Sequence, residues 1–167
     1  MIEDWSELIE IFGENDGSLP DIEIANLTAE EVILGYEILR NHAGCISSEN
    51  TYYWSVSKQC EVPISLEDNP SELVVSGEAE PFHLCFGNVK SPSGKELPEL
   101  GLFVFSNSLA LDYRMGPEWN QDAIEGLFEL ISAITKKSQN FEIEHKANIN
   151  DHDGSIFKSH WAAYQNA

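Results

Sequence analysis

The sequence predicts an α+β domain in which a mainly antiparallel sheet of five to seven strands is covered by two long helices. Three observations carry this. Apolar residues alternate with period two between residues 51 and 115, two segments of helical spacing begin at recognisable N-caps, Thr28 and Asn120, and 167 residues fit one domain. Four Trp, five Tyr and eight Phe in a chain that is 42% hydrophobic provide a core that an unfolded acidic chain would lack. A single domain over residues 1–167 follows.

Trp5, Leu8, Ile9 and Phe12 recur at helical spacing and predict a short first helix stopped by Gly13. Ile22 and Ile24 alternate with acids between Asp21 and Ala25, the pattern of a short strand. Thr28-Ala29-Glu30-Glu31 is a capping box, in which the Thr28 hydroxyl accepts from the Glu31 amide and the Glu31 carboxylate reaches back. The helix it opens runs to about His42, with Gly44 as its stop and Ala29, Val32, Ile33, Tyr36, Leu39 and Ala43 as its core side. Leu34 and Ile38 fall on the opposite side, so this helix either packs on two sides or exposes an apolar pair.

Alternating runs follow at Tyr52/Trp54/Val56, Val62/Ile64/Leu66, Leu73/Val75 and Phe82/Leu84/Phe86, each bounded by turn residues. Leu100 to Phe105 and Leu109 to Met115 form a hairpin turning at Ser106-Asn107-Ser108, the best-buried pair of the sheet. Asn120 caps the second long helix, with Trp119 and Ile124 placed as a hydrophobic staple. Its core stripe is Ile124, Leu127, Phe128, Ile131 and Ile134, and Asp122, Glu125 and Glu129 lie on the other side. A strand over Phe141 to His145 and an aromatic segment of helical spacing, Phe157, Trp161 and Tyr164, complete the chain.

Charge is the feature of the chain that bears most on function. Twenty-nine acids against nine Lys and Arg give a formal charge of −20, which repels nucleic acid and anionic membranes and attracts basic partners. Residues 1 to 39 hold eleven acids and no Lys or Arg, so that run has no local neutralisation. The three cysteines, Cys45, Cys60 and Cys85, are odd in number and form no C-x-x-C, which disfavours a disulfide framework. Met1 to Trp5 lacks a basic region followed by an apolar run, so no secretory signal is expected, and no apolar stretch approaches the ~18 residues of a membrane span. The expected location is cytoplasmic.

Catalytic and cofactor signatures fail one by one. Gly87 to Gly94-Lys95 has six intervening residues where a phosphate loop has four, and reads as a hairpin loop. Aligning Asp151-His152-Asp153-Gly154 to a calcium loop puts Ile149 first and His160 twelfth, where carboxylates are required; Asp16-Gly17 fails likewise, and both read as turns. His83 and Cys85 share one strand face but lack two further ligands at a recognisable spacing for zinc. Asp112 and Arg114 also share a face, and their simplest reading is an ion pair. No metal, no cofactor and no catalytic residue is expected, and an enzyme would have to use the His83/Cys85 or the Asp112/Arg114 face.

In size, acidity, lack of an export signal and α+β layout the chain resembles the small acidic immunity proteins with which bacteria neutralise their own toxins. The resemblance implies inhibition by binding, with an acidic surface covering the cationic site of a nuclease or other basic toxin. The expected function is therefore a non-catalytic protein that neutralises a basic partner, with an acidic scaffold or adaptor as the alternative. Expected contact residues are Trp5, Leu34, Ile38 and Trp119 as anchors and Asp122, Glu125 and Glu129 as charges, since rim charges alone contribute little affinity.

Overall fold

The computed structural model describes residues 2–147 and 151–167. Its centre is one antiparallel six-stranded sheet in the order β10-β1-β9-β8-β5-β2. The strands are β1 (Asp21–Ala25), β2 (Cys45–Ile46), β5 (Phe82–Gly87), β8 (Leu100–Val104), β9 (Leu109–Tyr113) and β10 (Glu142–Lys146). The α+β class and the antiparallel sheet are as the sequence predicts, but three of the six strands lie outside residues 51–115. Within that interval β3 (Tyr52–Ser55) and β4 (Cys60–Pro63) form a separate two-stranded sheet, as do β6 (Val89–Lys90) and β7 (Glu96–Leu97). The 87–95 segment is the hairpin connection its spacing implied.

Strand register sorts every side chain to one of two faces. Phe82, Leu84 and Phe86 of β5 stand opposite Val104, Leu102 and Leu100 of β8, which in turn face Leu109, Leu111 and Tyr113 of β9, then Ile24 and Ile22 of β1. All are buried. The helices meet this face through aromatic contacts. Tyr36 of α2 (Ala29–Asn41) meets Phe82 and Phe86, Phe12 of α1 (Ser6–Gly13) meets Tyr113, and Phe157 of α5 (Asp151–Gln165) meets His145 of β10. Between them, α4 (Gln121–Thr135) buries Ile124, Leu127, Phe128, Ile131 and Ile134, the whole stripe its spacing predicts. A third long helix, α5, therefore joins the two expected ones, with Phe157 and Trp161 in the core.

Local chemistry explains the remaining differences. Leu73 and Val75, expected on a strand, lie in α3 (Ser71–Ser76): Asn69 accepts from the Ser71 amide at 3.2 Å, Pro70 precedes the first turn, and Gly77 ends it at φ 82°. So short an apolar run does not distinguish strand from helix by period. α3 packs along α2, and Arg40 of α2 donates to the Leu66 and Glu67 carbonyls, so α2 is packed on two sides. Thr28 accepts from the Glu31 amide at 3.2 Å, but the return half of the capping box is not made: Glu31 Oε2 is buried with no partner among the described residues. In α1 it is Ile11 that is buried, while Ile9 faces solvent. Asp153 and Gly154, expected in a turn, lie within α5, and Ile149 lies outside the described residues. No helix among the described residues is long and apolar enough to cross a membrane.

Candidate functional site

The second face of the sheet carries the functional candidates. Register sets them in rows across the strands: Cys85, Gly101, Asp112, Asp21 and Lys146 in one, and His83, Phe103, Ala110, Glu23 and Glu144 in the next. His83 and Cys85 thus become neighbours of Asp112 two strands away, and Asp112 pairs with His83 in place of the Arg114 partner expected from the sequence. What joins them is Gly101. Asp112 lies flat over the intervening strand, where a Cβ on residue 101 would land on its carboxylate, and it reaches His83 Nε2 at 2.7 Å. His83 also packs on Phe103, with ring centroids 4.3 Å apart, and Phe103 stacks with Phe105 at 6.0 Å.

Electrostatics on this face favour holding charge over nucleophilic chemistry. Burial pushes the Cys85 thiol up to about 11, and the Glu99 and Asp112 carboxylates add to the rise. At neutral pH it is the protonated thiol, a weak nucleophile. Burial also raises the Asp21 carboxyl above its usual range, with the adjacent Asp112 charge contributing next. Lys146 Nζ pairs with Glu23 at 2.7 Å, leaving Glu142 and Glu144 exposed beside it. Phe103 of β8 and Phe105 just beyond its end are 38% and 37% exposed. Tyr52 continues the strip, sharing with His83 and the 48–51 segment a hollow of about 320 Å³. Among the described residues no three His, Cys, Asp or Glu are grouped to hold a metal ion.

The residues expected to bind a partner are dispersed. Trp119 is 1% exposed and donates its indole N–H to the Arg114 carbonyl at 2.9 Å, and Trp5 is 8% exposed against Phe128; both are core residues, which removes them as surface anchors. The spacing that makes Trp119 a staple already pointed to burial. Leu34 is at the surface of α2 and Ile38 is partly buried against the core. Asp122 is exposed. Glu125 and Glu129 are not free: both pair with Lys95, and Ser93 donates to Glu129 through its amide and its hydroxyl, at 3.1 and 2.9 Å. Burial works against the charged form of Glu129, but the bonds from Ser91 and Ser93 and the Lys95 charge outweigh it and hold the carboxyl below its usual range.

Phe103, Phe105 and Glu144 were not singled out by sequence reasoning, although the alternation around Phe103 and Phe105 already placed them opposite Leu102 and Val104. A second concavity of about 730 Å³ lies between the edge strand β10 and α5, with Phe141, Ile143 and Glu144 on one wall and Lys158, Trp161 and Ala162 on the other. Compared with known proteins, the chain matches no family model, no curated protein and no solved structure.

Proposed function

We propose that this is a non-catalytic binding protein that engages a basic protein partner through the open face of its sheet. The observation that carries the reading is the strip of exposed Phe105, Phe103 and Tyr52 around half-buried His83, on the same sheet face as Glu23, Glu142 and Glu144, in a chain of net charge −20. Exposed contiguous aromatics rimmed by charge are the composition of an interface centre and its border. Acidic side chains steer a cationic partner, and flat aromatic rings accept the planar guanidinium of Arg as well as apolar groups. The narrower reading is a cytoplasmic immunity protein, with a toxin as the partner. It rests on acidity, size and layout.

The test is a pull-down from the native host at low salt with the wild-type chain and with a Phe103→Ser/Phe105→Ser variant. Enrichment of a basic protein by the wild type and its loss with the variant supports the proposal. Recovery of only acidic or neutral proteins, or equal recovery by both chains, refutes it.

A further inference from the structure

We propose that the groove between β10 and α5 takes an extended peptide with alternating apolar and basic residues, added to the sheet as a short seventh strand beside the Glu142–Ile143 end of β10. β10 pairs with β1 alone and forms the edge of the sheet. Gly154 of α5 approaches it so closely that a Cβ there would come within 2.7 Å of the His145 carbonyl, so that carbonyl points to α5 and away from β1. In an antiparallel strand the N–H and C=O of one residue point to the same side and alternate residues to opposite sides. Ile143, two residues before His145, therefore directs both backbone groups to the free edge, and outside the sheet ladders no backbone bond among the described residues takes them up. Unpaired edge groups beside a helix wall are what strand addition requires. A volume of about 730 Å³ also fits a bound ligand.

The two flanks dictate the peptide's alternation. Side chains of an added strand that turn to the open face meet Glu142, Glu144 and Glu23, which favour Lys or Arg. Those that turn to the helix side meet Trp161, Ala162 and the Lys158 ammonium, which favour apolar groups and reject a base. A second copy of the chain fits poorly, because pairing β10 with itself would set Glu142 and Glu144 against the same acids. This groove shares Glu23, Glu142 and Glu144 with the open face but not its aromatic strip, since strand addition uses the backbone of β10 and no residue of β5 or β8.

The probe is a capped seven-residue peptide alternating Val and Arg, titrated into the full chain while amide exchange is followed by NMR. Exchange of the Ile143 amide should slow at least about tenfold, and a Val/Glu analogue should bind at least about tenfold more weakly. Methylating the backbone nitrogens of the Arg/Val peptide should abolish binding, as should Ala162→Arg, an exposed position on the helix wall whose variant keeps the wild-type circular dichroism. Phe103→Ser should leave peptide binding unchanged, so this outcome is separate from the fate of the open-face reading. The proposal is overturned if neither peptide binds at millimolar concentration or if the methylated peptide binds as well. It is equally overturned if shifts centre on β5 and β8, or if Ile143 becomes protected without peptide as protein concentration rises, which would identify a second copy as the occupant.

Discussion

Gly101 is the residue on which the geometry of the open face turns, because any side chain there displaces the Asp112 carboxylate from the path to His83. Gly101→Ala should therefore break the His83–Asp112 bond and lower stability by about 1–3 kcal/mol, the usual cost of overpacking or of stranding a part-buried polar group. Denaturant midpoints measure the cost, and a changed His83 ring resonance reports the lost bond. On the core face, His145 accepts or donates one bond with the Tyr113 hydroxyl at 2.8 Å, while its Nδ1 is buried without a partner among the described residues. Burial pushes its pKa down from 6.5 to about 4. The unfolded chain takes up the proton first, so this site contributes its full stability above about 6.5 and loses it as pH falls toward 4. The loss amounts to about 3–4 kcal/mol at most. Urea unfolding at both ends of that window should show a shallower dependence on pH in His145→Phe, and equal slopes in the two proteins would contradict the assignment.

At the scale of elements, α2 sits close to the sheet because residue 35 is glycine: a Cβ there would come within 2.6 Å of Leu109 and 3.1 Å of Ile134. Gly35→Ala gains helix propensity but should still destabilise by about 1–3 kcal/mol, seen as a lowered midpoint with unchanged secondary structure. Asn120→Ala removes the bond accepted from the Ala123 amide at 2.9 Å and should cost about 1 kcal/mol in the same measurement. Both N-caps, the α4 stripe and the 100–113 hairpin were legible because their signals are local: a capping side chain, a 3.6-residue period, a polar turn. α3 was not, since three apolar residues fit either period and the Asn69-Pro70 start decides the outcome. Nor was the pairing of Glu125 and Glu129 with Lys95, which depends on the β6–β7 hairpin folding against α4. Reversing those two glutamates to Lys should thus loosen the 91–95 segment and lower stability, with little effect on capture of a partner.

Across the whole molecule, the charge of −20 was legible from composition, but its arrangement was not. The open face assembles β1 from residue 21 onward, β5, β8 and β9 from the middle, and β10 from residue 142 onward, and only tertiary register shows that Glu23 and Glu144 share a row with Phe103 and Ala110. If that face attracts a basic partner, raising salt from about 0.05 to 0.5 M should slow association markedly and change dissociation less, because screening shortens the field to a few Å. Reversing the exposed pair Glu142 and Glu144 to Lys should slow association in the same way at low salt. Anchoring is a separate quantity from steering and belongs to the aromatic strip. The most direct test is the dissociation rate of the recovered basic partner from the wild-type chain and from Phe103→Ser/Phe105→Ser, measured by surface plasmon resonance at fixed salt. Dissociation from the variant at least about tenfold faster, with association little changed, is the predicted result; identical dissociation from both chains would contradict a docking site on the open face of the sheet.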